Sequence, residues 1–159
     1  MKSLVVFYSR TGNTKKVAEG LSKLLKSDLE EIRGVEDRRG VLGYAVSGMQ
    51  ALMKKPAAIR KPRRNPASYD VVVIGTPVWF GNVSTPVRTY LTQNAGRFKN
   101  VAFYCTFHGS GAESAFRHMR GLCGKNQVAV LALHQAEVEG KAYLGKVKKF
   151  AMDVKRRLR

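Results

Sequence analysis

Four short apolar runs punctuate the chain: Leu4 to Tyr8, Val71 to Gly75, Val101 to Cys105 and Val128 to Leu133. Each is rich in valine and nearly unbroken by polar side chains. Continuous rather than alternating hydrophobicity is what a strand covered on both faces needs, so the runs predict a parallel sheet between helical layers. A fifth, weaker strand over Leu29 to Arg33 does not alternate cleanly and is expected at an edge.

Helical spacing fills the intervals. Val17, Leu21, Leu24 and Leu25 recur at i, i+4, i+7 and i+8, with Lys15, Lys16, Glu19, Lys23 and Lys26 on the solvated side. Ser84-Thr85-Pro86 reads as an N-cap with proline in the first turn, ahead of Val87, Tyr90 and Leu91. Glu113 to Leu122 and the stripe from Tyr143 to Leu158 give two more helices. Val41 to Met53 is assigned a further helix; with Lys54 and Lys55 beside it, the alternative is an amphipathic segment touching a membrane. Strands alternating with helices predict an α/β fold in one domain over residues 1–159. The expected architecture is a doubly wound five-stranded parallel sheet in the order 2-1-3-4-5, with helices on both faces. Ligands of such sheets bind beyond the carboxyl ends of the strands, where the order reverses.

Three loops fall at that end. The first, Ser9-Arg10-Thr11-Gly12-Asn13-Thr14, joins a strand to a helix N-terminus, where backbone N–H groups converge and the helix dipole favours an anion. It lacks the Gly-Lys-[Ser/Thr] ending of a P-loop and the three spaced glycines of a dinucleotide fingerprint. A seat for a different phosphorylated ligand is expected; the alternative is an ordinary turn rich in N-capping residues. The second loop, Thr76-Pro77-Val78-Trp79-Phe80-Gly81-Asn82, places two aromatics where a planar ring can lie against them; the alternative is a Trp79 folded back as a loop plug or a dimer contact. The third, Phe107-His108-Gly109-Ser110-Gly111, offers a second wall, with His108 a candidate for the anionic edge of a reduced ring. His118 and His134 are given no functional role.

Composition narrows the chemistry. Cys105 and Cys123 are the only cysteines, too few for a four-thiolate cluster, and no Cys/His spacing resembles a zinc site, so no metal is expected. Both are taken as reduced, mostly buried thiols, and a cytoplasmic protein without a signal peptide is the expectation. The 159 residues carry 29 Lys+Arg against 11 Asp+Glu, a formal net charge of +18. Such a field attracts acidic proteins, anionic membranes or polyanions; the alternative is a solvated basic surface with no specific partner. The basic clusters lack interleaved aromatics or a nucleic-acid motif, which speaks against nucleic acid.

The opening Val5 to Thr14, the central Tyr69-Asp70-Val71-Val72-Val73-Ile74-Gly75-Thr76-Pro77-Val78-Trp79 and the later Phe107-His108-Gly109-Ser110-Gly111 together resemble the flavodoxin family, over essentially the whole chain. The resemblance implies a doubly wound fold that binds FMN. Residues Ser9, Arg10, Thr11, Gly12, Asn13 and Thr14 would hold the phosphate. Thr76, Pro77, Val78, Trp79, Phe80, Gly81 and Asn82, with Phe107, His108, Gly109 and Gly111, would flank the isoalloxazine. No side-chain catalyst is called for. The implied role is an electron carrier or a small oxidoreductase using NAD(P)H, a quinone or a protein partner. Two departures stand out: flavodoxins are typically acidic where this chain is basic, and the family's stacking tyrosine in the later loop has no clear equivalent, Phe107 and His108 being the candidate substitutes. The alternative is a basic polyanion- or membrane-binding module of the same fold without catalysis.

Overall fold

A computed structural model describes residues 1–35 and 56–159. The helix assigned to Val41–Met53, and with it the membrane-touching alternative for that run, lies outside the described residues. Among those described are six strands, β1 (Ser3–Phe7), β2 (Asp28–Glu31), β3 (Val71–Trp79), β4 (Asn82–Val83), β5 (Val101–Phe107) and β6 (Gln127–His134). The helices are α1 (Asn13–Leu25), α2 (Thr85–Gln93), α3 (Ala112–Cys123), α4 (Gln135–Glu139) and α5 (Leu144–Arg157).

Five strands run parallel in the order β2-β1-β3-β5-β6, which is the expected order, with the weak second strand at the edge. The expected count of five is corrected to six, because β4 pairs antiparallel with the end of β3 through Val78–Val83 and Trp79–Asn82. Gly75 does not end β3: pairing with β5 continues to Pro77 opposite Thr106, so residues 76–79 extend the strand rather than form a loop.

The pleat explains why the valine-rich runs needed no polar positions. Leu4 and Val6 of β1, Val72 and Ile74 of β3 and Phe103 and Cys105 of β5 enter one core with Val87 and Leu91 of α2 and Met119 of α3. The alternate residues Val5, Phe7, Val73, Ala102 and Tyr104 enter the other, against Val17 and Leu21 of α1 and Val147, Phe150 and Val154 of α5. Burying each large aliphatic side chain contributes about 1.5–3 kcal/mol. With both faces covered, only the strand ends are left to build a site. Cys105 and Cys123 are free and buried. Burial pushes the Cys105 thiol up to about 12, which keeps it protonated and unreactive. No helix among the described residues is long and apolar enough to cross a membrane.

Candidate functional site

The chain leaves β1 towards β2 on one side and returns to β3 on the other, so the order reverses at β1 and β3. At their carboxyl ends lies a cavity of about 100 Å³, lined by Arg10, Thr11, Asn13 and Thr14, by Pro77, Val78 and Trp79, by Thr106, Phe107 and His108, and by Gln135. All three expected loops therefore meet at one place. A larger hollow of about 640 Å³ lies beside β2, where Glu30 and Glu31 stand among Lys15, Arg33, Arg60, Lys61, Arg63 and Arg64, so it is predominantly positive but lies apart from the crossover.

The turn after β1 is held by its backbone. Gly12, at φ 99°, is the N-cap of α1, and its N–H donates to the Ser9 hydroxyl at 3.1 Å. No side chain caps the helix, so the first-turn amides, which have no intrahelical acceptor, remain for a ligand. Behind them Asn13 and Thr14 are buried, while Thr11 is exposed. The Thr14 hydroxyl shares a hydrogen bond with the Thr106 hydroxyl at 2.8 Å, and the Thr14 carbonyl accepts one from the Tyr104 hydroxyl at 3.0 Å. Full burial raises the Tyr104 phenol far above its ordinary range, which keeps it a neutral donor. Its ring passes through the space a side chain at residue 75 would fill: a Cβ on Gly75 would lie 1.9 Å from Tyr104 Cζ. Sequence reasoning missed this brace. The signal was a glycine inside a central strand, a sign of close approach, paired in register with Tyr104.

The second loop is a two-residue hairpin. Phe80 (φ 50°) and Gly81 (φ 73°) both take positive φ, the geometry of a type I′ turn, and Phe80 is 62% exposed there. Thr76 is fully buried; its hydroxyl accepts the Ser84 N–H at 3.0 Å and so fastens the returning chain. Trp79 is only 5% exposed and stands edge-on to Tyr8, ring centres 5.6 Å apart. The Asn82 amide donates to the Phe80 carbonyl at 3.4 Å, and its buried Oδ1 has no partner among the described residues.

The third loop closes on the hairpin backbone to backbone. Gly111, at φ 102°, packs so tightly that a Cβ would lie 2.6 Å from Gly81 Cα. His108 and Gly109 are exposed and Phe107 is half-buried. His134, given no role from the sequence, supports them. Its ring packs edge-on to Phe107 at 5.5 Å and stacks with His108 at 5.9 Å, and its Nε2 bonds the His108 carbonyl. Nδ1 accepts the Ala136 N–H at 3.1 Å, which leaves Nε2 to donate to the His108 carbonyl. Glu137 completes a capping box by accepting the His134 N–H at 2.9 Å and pairs with Lys146, and both interactions lower its carboxyl below the usual range. Glu139 is also lowered, first by Gln135 and then by Asn13 of the first turn.

A doubly wound α/β domain with an uncapped helix N-terminus at its crossover and aromatic loops beside it is an arrangement suited to an anion with a flat group attached. The flavodoxin family model matches residues 2–133, and the chain belongs to that family. It is similar to a flavoprotein from Lactobacillus acidophilus NCFM crystallised in complex with FMN, at 28% identity over 89% of this chain and 98% of that one, with a TM-score of 0.73. The apo form of the flavoprotein from that organism, solved by NMR, matches at 29% identity over 87% and 95% of the two chains, TM-score 0.68. Oxidised flavodoxin 2 from Bacillus cereus shares the fold at 18% identity, with 99% of each chain covered and a TM-score of 0.63.

Proposed function

We propose that the chain binds FMN at this crossover and uses it to transfer electrons. The observation that carries the reading is the α1 N-terminus: its amides are uncapped and braced from behind by Tyr104 and Thr106, so they are preorganised for a phosphate. Ser9 to Thr14 hold the phosphate, with Arg10 at the cavity wall adding positive charge. Thr76 to Asn82 and Phe107, His108, Gly109 and Gly111 flank the ring. Exposed Phe80 supplies a surface for stacking, Trp79 forms part of the wall, and the unpartnered Asn82 Oδ1 is an acceptor suited to a ring N–H. When bound, FMN supplies the redox chemistry; the protein binds it, orients it and sets the charge around it.

The exchange partner is a redox protein or a small molecule such as NAD(P)H or a quinone, which the open side of the exposed third loop can admit. Free buried thiols suit the reducing cytoplasm. Titrating the apoprotein with FMN and with riboflavin, followed by flavin fluorescence, tests the seat. FMN is expected to bind at least about a hundredfold more tightly, since only it carries the anion that charge-assisted amide bonds recognise. Equal affinities would reject the phosphate assignment.

A further inference from the structure

We infer that the outer face of α5, with the adjoining edge of α1, is a docking surface for a bilayer of anionic phospholipid. The buried stripe of α5 is Val147, Phe150, Ala151 and Val154. Met152 stands on the opposite side, 56% exposed. Its neighbours one turn away in either direction are Lys148, Lys149, Lys155 and Arg156, all exposed, so a thioether sits inside a ring of four cations. Leu144, also 56% exposed, continues the stripe two turns earlier. Lys155 crosses to α1 and donates to the Leu24 carbonyl at 2.8 Å, which brings in the 39% exposed Leu24 and its neighbour Lys23.

Little acid offsets this face. Asp153 pairs with Lys149 at 2.7 Å and Arg156 at 3.1 Å, while Lys148 pairs with no carboxylate among the described residues. Charge complementarity calls for an anionic occupant, and the apolar residues select which one. A phosphate backbone would engage the cations and gain nothing from Met152 and Leu144, whereas an interface of headgroups and acyl chains takes both. A protein partner would be anchored by a pocket or an aromatic cluster, and these apolar side chains stand singly among lysines. Because α5 starts beside α4, where Lys146 meets Glu137, and ends beside the last turn of α1, the face runs along the flank of the domain.

The test is flotation of the purified 159-residue chain with vesicles of phosphatidylcholine alone or mixed with phosphatidylglycerol. Binding is expected to the mixed vesicles only, and to weaken with salt. Replacing Lys148→Gln and Arg156→Gln together should weaken it roughly tenfold or more. Met152→Gln, which leaves the charge unchanged, should weaken it roughly threefold. FMN titration of each variant reports whether it remains folded. Equal binding to neutral vesicles, or full binding by the double variant, overturns the proposal. So does an unaffected Met152→Gln protein, which would mean charge adsorption alone, or displacement from vesicles by duplex DNA or polyglutamate at equal charge.

Discussion

The turn after β1 and the loop after β5 stand on opposite sides of one cavity, yet they are built by opposite means. The first is short and anchored from inside the domain: Thr14 is fixed through its hydroxyl to Thr106 and through its carbonyl to Tyr104. The second is exposed from His108 to Ser110 and rests on surface interactions, a histidine ring and a carboxylate at the N-terminus of α4. A phosphate needs donors fixed before it arrives, since every amide still to be ordered costs entropy. A flat ring that must be reached by a redox partner needs a wall that can give way. On the proposed reading, the phosphate end is the one braced from the core, and the ring end is the one left exposed, held at Gly111 by its packing on Gly81.

The largest effect is expected from Gly75→Ala. The new methyl group would sit inside the Tyr104 ring, which must move, and overpacking of a filled core costs about 1–3 kcal/mol. Once the ring moves, its hydroxyl no longer reaches Thr14. Urea unfolding should show a lower midpoint, and FMN affinity should fall more than riboflavin affinity. If stability falls while FMN keeps its advantage, the brace is not what organises the phosphate turn.

Tyr104→Phe isolates the hydrogen bond from the packing. It leaves the buried Thr14 carbonyl without this donor, a loss of about 1 kcal/mol, with the ring itself retained. Amide exchange should quicken at Lys16, whose N–H bonds the Gly12 carbonyl at 3.0 Å, and stay unchanged in residues 107–111. Exchange that quickens equally on both sides would erase the contrast between the two loops.

How far the sequence disclosed this arrangement depends on the range of each interaction. The strand order and the first turn were legible, because unbroken valine runs and a polar strand-to-helix junction are local patterns. The Tyr104 brace was not, since it depends on the register that sets Gly75 beside Tyr104, and a strand-interior tyrosine reads only as core. The hairpin was hidden because Phe80 occupies a positive-φ position that type I′ turns usually give to Asn or Gly. The five residues of α4 are too few to show periodicity, so His134 looked like a surface residue rather than the N-cap beneath the third loop.

The smallest effect is expected on the exposed side. Glu137 is held below the ordinary carboxylate range first by Lys146 and then by the His134 N–H. A depressed carboxyl contributes stability that is complete above its unfolded pKa, near 4.3, and is lost as pH falls through the folded value. Acidification should therefore loosen the N-terminus of α4, and with it His134, Phe107 and His108, while the first turn loses only the Glu139 contact to Asn13 and keeps its bonds to Tyr104 and Thr106. Glu137→Gln keeps an acceptor for the His134 N–H and removes the charge that Lys146 meets. Exchange of the His134 amide, followed by NMR from about pH 6 down to pH 3, should accelerate more in the parent protein than in the variant, once corrected for intrinsic rates. An equal acceleration in both would mean that the carboxylate does not hold the loop, and its support would rest on the histidine stack with Phe107 and His108 alone.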